Sequence, residues 1–342
     1  MQTRREFIAA VAAATAAAGS ASRAAEIKPA GRFEMTVINP ECVSGGAGLC
    51  VIMRTPSGKT YLFDTACGIE ASGDMNNGKD IIAPWLEKRG IKRIDGLILS
   101  HYHSDHFGGL LYLADHFEIG HIFDNSYEPI SSQHPKGEMF EAKRCLYRWE
   151  KKNPGRLTRY LAEGDPLGWD EPGVRFDVVW PPRTGYCTPL SSGPDAARNG
   201  SEHHLLNANS TGLSVTVGCV RYLILGDINA DYVAAYMRPY MERKGTWNAD
   251  VLVLHQHGIP DDNGVNVAAM KPLPKVAIAS LSNLKWMFGE ARKMMGIYTK
   301  MGVKAYATNL HGNIGVSSDG AAIDVALEGS KLYAEREKDP FH

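Results

Sequence analysis

The sequence predicts an α/β fold, with two mixed sheets packed face to face and helices on the outside. Three observations lead there. Short β-like runs alternate with helical stretches through both halves of the chain. No repeat, low-complexity tract or linker divides it. Its 342 residues are 44% hydrophobic and 22% charged, ordinary values for a globular chain that can bury a core. They exclude a disordered chain, a collagen and a polytopic membrane protein.

Taken in order, the apolar alternation of Phe33–Asn39 reads as a strand. Cys50–Thr55 and Tyr61–Asp64 read as two more, joined by the turn Pro56-Ser57-Gly58-Lys59. Helical spacing runs through Ile81–Arg89 and stops at Gly90, a residue suited to end a helix. The continuous apolar run Ile94–Ser100 predicts a buried strand. A helix over Phe107–His116 and a strand over Ile119–Phe123 follow. Val174–Trp180 is a strand stopped by Pro181-Pro182, and Ser214–Val217 with Arg221–Leu225 forms a hairpin around Gly218-Cys219. Asp231–Arg243 is helical, Val251–Leu254 and Val276–Ala279 are strands, and Lys285–Met301 is a long helix. Val303–Ala307, Ile314–Ser317 and Ala321–Leu327 close the series as strands. Two stretches, near 126–160 and 183–207, look irregular. The first holds a charged helical piece, Gly137–Lys152, with Phe140, Tyr147 and Trp149. Such insertions are usually lids or binding loops, although their aromatic residues more often form a local core.

Residues 1–25 read as a targeting segment, leaving 26–342 as a single domain. Arg4-Arg5 precedes the apolar run Phe7–Ala18, which is too short to cross a bilayer. Small residues at Gly19-Ser20-Ala21 and Ser22-Arg23-Ala24 offer cleavage sites. The paired arginines resemble a twin-arginine signal. The expectation is export through the twin-arginine machinery to the bacterial periplasm or beyond, without stable membrane insertion. That compartment is oxidising, so the cysteines at 42, 50, 67, 145, 187 and 219 can pair. Their spacing names no framework; Cys42 and Cys50, flanking a glycine-rich turn, are the first pair to test. No C-x-x-C occurs, so a cysteine zinc knuckle is unsupported.

The chemistry concentrates in Ser100-His101-Tyr102-His103-Ser104-Asp105-His106-Phe107-Gly108-Gly109. Histidines two apart on an extended segment point the same way, so His101 and His103 can hold one metal. The chain then turns, and Asp105 and His106 can face a second. Imidazole and carboxylate suit zinc first, with manganese or iron as further candidates. Gly108-Gly109 lets the next helix approach closely.

This loop identifies the chain as resembling the metallo-β-lactamase superfamily, whose pattern His-x-His-x-Asp-His follows a buried strand. The implied architecture is that family's αββα sandwich. More widely, residues 33–330 resemble the metallohydrolase-like domain of ComEC-type competence proteins and its free-standing relatives. The pieces that carry the likeness occur in order: Asp64 after Leu62-Phe63, Asn209-Ser210-Thr211-Gly212, Leu223-Ile224-Leu225-Gly226-Asp227, His255-Gln256-His257-Gly258 and Asn313–Gly320.

The resemblance implies two divalent metal ions, with His101 and His103 on the first and Asp105, His106 and His257 on the second. Asp227 would bridge both, since a carboxylate ending an apolar strand is costly unless it meets a cation. His255 rivals His257, because the family's adjacent histidine pair is here split by Gln256. Asp64 reads as a residue that orients a metal-loop side chain rather than as a ligand. Many members supply a third histidine to the first metal; here that segment reads Asn207-Ala208-Asn209-Ser210, and only His203 and His204 lie near it. Either can reach in, or both are loop histidines, and Asn209 is a further candidate ligand or residue that orients one, so occupancy of the first site stays open. His116, His121, His134 and His311 read as structural.

The implied reaction is hydrolysis by water that the metals acidify. Asp105 would take or orient its proton, and the metals, with the non-ligand member of His255 and His257, would stabilise the oxyanion. Likeness to competence-type domains favours a phosphoester or phosphodiester, in a small molecule or a polymer. A lactam or lactone, or a non-catalytic metal-containing binding protein, are the alternatives. Charge bears on this choice. Lys+Arg 37 against Asp+Glu 38 gives −1, and loss of Arg4, Arg5, Arg23 and Glu6 with the signal leaves the mature chain at about −3. That excludes a basic nucleic-acid clamp. It does not exclude an anionic ester, because two divalent ions outweigh Asp105 and Asp227 at one point.

Overall fold

The computed structural model describes residues 28–42, 47–68, 75–128, 136–190, 202–259 and 264–329. The segment 1–25 expected to act in targeting, and His134, lie outside them. The first sheet has eight strands, in the order Ile323–Leu327, Ile314–Ser318, Phe33–Val37, Val51–Arg54, Thr60–Phe63, Gly96–Leu99, Ile122–Asp124 and Leu157–Thr158. Its first five are antiparallel neighbours; from Thr60–Phe63 onward pairing is parallel. The second sheet has six, in the order Lys304–Ala307, Val276–Ala279, Val251–Val253, Val220–Leu225, Gly212–Val217 and Val174–Trp180.

Burial follows the pleat. Phe33, Met35 and Val37 alternate inward from one sheet and Val215, Tyr222, Ile224 and Val253 from the other, forming a core between the two. The other face of the second sheet is covered by helix Lys285–Lys300, through Met287, Ala291, Met294 and Tyr298. The other face of the first sheet is covered by Ala83–Lys88, Leu110–His116 and Lys136–Lys152, through Leu86, Leu113, Leu146 and Trp149. Helix, sheet, sheet and helix are thus stacked, as the sequence predicts. No helix among the described residues is long and apolar enough to cross a membrane.

Several expectations change in detail. The strand expected over Ile94–Ser100 breaks at Asp95. Arg93–Ile94 pairs with Glu118–Ile119 as a separate ribbon, while Gly96–Leu99 enters the large sheet. Asp95 departs because its carboxylate accepts the Thr60 N–H at 2.9 Å. The facing strand breaks too, at Gly120-His121, and a Cβ on Gly120 would lie 2.3 Å from the Asp95 carbonyl oxygen. The helix expected over Phe107–His116 is two, Ser104–Phe107 and Leu110–His116. Between them, a Cβ on Gly108 would meet the Gly68 nitrogen at 2.2 Å and one on Gly109 the Thr65 oxygen at 2.2 Å. The glycine pair therefore does bring this helix hard against its neighbour.

The disulfide is corrected. Cys42 joins Cys67, with Cα atoms 6.0 Å apart, and Cys50 is a buried free thiol. Cys50 heads a strand and packs into the outer core with Ile52 and Leu62, while the Ala66 N–H to Leu49 oxygen bond lays the 64–68 loop alongside. Proximity comes from that cross-loop bond, which spacing cannot reveal. The aromatic residues of the first insertion divide, with Phe140 and Tyr147 exposed on the helix surface. Trp149 is buried under its helix, and Trp169 stacks on Tyr61 at 4.2 Å between the sheets.

Candidate metal centre

Strand Gly96–Leu99 delivers the chain to His101 and His103, and the short helix Ser104–Phe107 carries Asp105 and His106. From the second sheet, strand Val220–Leu225 ends at Gly226-Asp227, and Val251–Val253 leads into His255–Gly258. There Gln256 and His257 adopt φ of 46° and 58°, a tight left-handed turn. Gly258 continues it at 82°, where a Cβ would press to 2.7 Å on Ala279.

Two groups of potential metal donors result. Asp105, His106, Asp227 and His257 form one; His101, His103 and Asp227 form the other. Within each, one ligand atom per residue lies within 4.8 Å of the rest. Asp227 Oδ2 is 3.0 Å from His257 Nε2 and 3.3 Å from His106 Nε2. Asp105 Oδ2 is 3.4 Å from His257 Nε2. Asp227 is shared between the groups. Its other oxygen, Oδ1, is buried and accepts no hydrogen bond among the described residues, as does His257 Nδ1. A buried carboxylate oxygen without a donor is costly unless a cation meets it. Imidazoles and carboxylates in these numbers fit divalent ions such as zinc, three or four protein ligands each.

The surroundings aim these side chains. Asp64, fully buried with φ of 58°, accepts the Ser100 N–H at 2.7 Å and the Ser100 hydroxyl at 2.6 Å. Its Oδ2 lies 2.7 Å from His106 Nδ1, leaving Nε2 to face the group. This carboxylate–histidine pairing sets ring orientation and tautomer. Ser100 Oγ is also 2.9 Å from His101 Nδ1. Asp105 Oδ2 accepts backbone N–H groups of Ala47 at 3.1 Å and Gly48 at 3.3 Å. Thr65 donates N–H and hydroxyl to the His106 carbonyl.

Charge balance is what metal-free ligands need. Burial opposes ionisation of Asp227, yet the facing charges of His106 and His257 hold its carboxyl well below the usual range. Asp105 is held down in the same way, by His106 first and then His257. Burial likewise opposes charge on His257, but Asp227 and Asp105 push it up to about 9. Burial opposes charge on His106 too, but Asp227, Asp105 and Asp64 raise it above the usual imidazole range. His101 shifts down, through burial and its histidine neighbours. Protons on His106 and His257 thus occupy the electrostatic role of a cation, and metal must displace them.

Against this geometry the comparisons decide the family. A family model described as the metallo-beta-lactamase superfamily matches residues 43–232, more than half of the chain.

The chain belongs to the metallo-β-lactamase superfamily.

Within it, the chain is similar to ComE operon protein 3 of Bacillus subtilis (strain 168), 22% identical over 258 residues, which cover 75% of this chain and 29% of that protein. It is similar to competence protein ComA of Neisseria gonorrhoeae, 26% identical over 239 residues, covering 70% and 26%. The chain therefore spans under a third of the length of these relatives. Among solved structures, Tm1679, a metal-dependent hydrolase of the β-lactamase superfamily, aligns over 80% of this chain and 95% of its own with 15% identity and a TM-score of 0.44. Membership in the metallo-β-lactamase superfamily supports a hydrolase that takes divalent metal.

The other sequence candidates are placed elsewhere. His255 is buried beside His257 but falls in neither donor group. Asn209 is a structural clamp: its Oδ1 accepts the Cys187 N–H at 2.6 Å and its Nδ2 donates to the Leu205 carbonyl at 2.9 Å. His204 lies on helix Glu202–Ala208 outside both groups, and the side chain of His203 is outside the described residues. His311 bonds back to Ala307, His116 stacks on Tyr112, and His121 meets Thr158. Sequence reasoning did not assign roles to Ser100, Thr65 or the Ala47 and Gly48 amides. A serine directly before the first metal-loop histidine was the one available signal; backbone amides leave none.

Proposed function

We propose that this protein is an exported, metal-dependent hydrolase of phosphoester or phosphodiester bonds, holding two divalent ions, zinc first among candidates. The observation that carries the reading is the sharing of Asp227 between a three-donor and a four-donor group. His101, His103 and Asp227 would hold one ion, and Asp105, His106, Asp227 and His257 the other. Bound divalent ions supply Lewis acidity and bring the pKa of water toward neutrality.

The chain's own residues do the rest. Asp105, kept ionised and pinned by two backbone amides, takes or orients the proton of the attacking water. Asp64 keeps the His106 ring in register. His255, outside both groups, is the candidate to stabilise charge on the leaving oxyanion. Two divalent ions against the carboxylates of Asp105 and Asp227 leave a locally positive pocket in an otherwise acidic chain, which favours an anionic ester. Similarity to competence-named proteins points the same way, and the paired arginines near the N-terminus support twin-arginine export.

The test is metal analysis of the mature protein with a hydrolysis panel of bis(p-nitrophenyl) phosphate, nucleic acid, nitrocefin and a lactone. Two equivalents of metal and phosphodiester turnover are expected. Nitrocefin or lactone turnover without phosphodiester turnover would replace the substrate class, and tight metal without any turnover would leave a binding protein.

A further inference from the structure

The segment Asp124-Asn125-Ser126 supplies no ligand, yet it touches both sheets where the ligands leave them. Tyr102 stands at a bend between His101 and His103, whose rings meet at 2.8 Å between Nε2 and Nδ1. It is buried, and its hydroxyl donates to Asp124 Oδ2 at 2.5 Å. Ser126 donates its hydroxyl to the same oxygen at 2.6 Å and its N–H to Oδ1 at 3.1 Å. Next along, Asn125 Nδ2 donates to the Asn209 carbonyl at 2.7 Å and to Thr211 Oγ1 at 3.1 Å. Thr211 donates its N–H to the Ser100 carbonyl at 3.0 Å and accepts the Gly226 N–H at 3.3 Å. Three consecutive buried residues are therefore bonded on one side to the loop of His101 and His103. On the other they reach the segment that abuts Gly226, next to Asp227.

The two donor groups depend unequally on that spacing. The four-donor group draws Asp105 and His106 from one sheet and Asp227 and His257 from the other, two anchors on each side. The three-donor group draws both histidines from the first sheet and only Asp227 from the second. With a single ligand across the gap, its geometry follows whatever sets the distance between the Tyr102 loop and Gly226-Asp227.

We propose that the hydrogen-bonded chain Tyr102–Asp124–Asn125–Thr211 is a tie between the sheets that positions His101 and His103 against Asp227, and so governs cation affinity at the three-donor group more than at the four-donor group. The inference rests on the two-ion reading of the centre. Tyr102, Asp124 and Asn125 are positioning residues that touch no reacting atom. Their contribution belongs with that of other groups outside the ligand shell, whose loss costs about 10–100-fold in metal affinity.

The experiment titrates cobalt(II) into the metal-free mature protein and into Tyr102→Phe and Asn125→Ser, following absorption and bound metal. The parent is expected to take two equivalents. Each variant should keep one at parental affinity with its absorption bands unchanged, and bind the other about 10–100-fold more weakly. Asp124→Asn, which retains an acceptor for Tyr102, should restore affinity relative to Asp124→Leu. Parental affinity at both sites in Tyr102→Phe and Asn125→Ser overturns the tie. Equal weakening at both sites with a fall in Tm overturns it too, by assigning these residues to general folding. If Tyr102→Phe does not fold, Asn125→Ser decides alone. A parent that takes fewer than two equivalents overturns the two-ion reading itself, and the tie with it.

Discussion

The loop from His101 to His106 and the pair Asp227 with His257 contribute to the same centre by opposite routes. The loop packs four potential ligands into six consecutive residues, and local geometry directs them: a bend at Tyr102 for His101 and His103, then a helical turn for Asp105 and His106. Asp227 and His257 arrive from the ends of two parallel neighbouring strands, Val220–Leu225 and Val251–Val253, with no other member of the donor groups near either in sequence. The loop can be read as chemistry by itself. The pair becomes chemistry only when the second sheet is laid against the first. Redundancy differs accordingly: loop ligands divide between the two groups, while Asp227 belongs to both.

That contrast can be broken experimentally. The largest effect is expected from Asp227→Ala, which should lose both equivalents of metal and lower phosphodiester turnover on the order of 10³-fold or more. One equivalent held at parental affinity would show that the carboxylate is not shared. Asp105→Ala should lose turnover by about 10²–10⁴-fold with its circular dichroism and Tm near the parent's. Full activity in that variant would remove Asp105 from the proton path. Next, His257→Gln is expected to empty the four-donor group selectively, whereas His255→Gln keeps two equivalents and changes only turnover. Metal loss in the second variant would exchange their roles.

Smaller effects probe the frame around the loop. The Cys42–Cys67 bridge closes a separation of 25 residues and encloses Ala47 and Gly48, whose amides hold Asp105. Its removal by Cys42→Ser should cost about 3 kcal/mol in thermal or denaturant unfolding. Cys50→Ser should leave the bridge intact, and a lost bridge on peptide mapping would contradict the pairing. The last expectation concerns pH. His257 is raised from 6.5 to about 9 by Asp227 and Asp105, so in metal-free protein its ion pairing stabilises fully below pH 6.5 and is lost as pH rises through about 9. Metal affinity should move the other way, rising by at least about tenfold per unit, one factor of ten for each of His106 and His257 that still holds a proton to be displaced. A flat zinc affinity between pH 7 and 9 would contradict this account.

Much of the frame was legible beforehand because periodicity and local punctuation act within a few residues. Val174–Trp180 and Val276–Ala279 match their predicted bounds, and the Gly218-Cys219 hairpin closes as expected. The misreadings share one cause, contacts between distant segments. Asp95 breaks a strand because Thr60 claims its carboxylate. Cys67 rather than Cys50 meets Cys42 because the 64–68 loop is hydrogen-bonded beside Leu49.

The sequence by itself determined the layer order and the metal loop. Alternation, helical spacing and the two-residue repeat of an extended chain are backbone properties that need no partner. Only the tertiary structure decided which residues across the gap complete the centre, which carboxylate orients His106, and what holds the two sheets in register around it. Those are distances between segments 42, 84 and more than a hundred residues apart, set by core packing and cross-sheet hydrogen bonds.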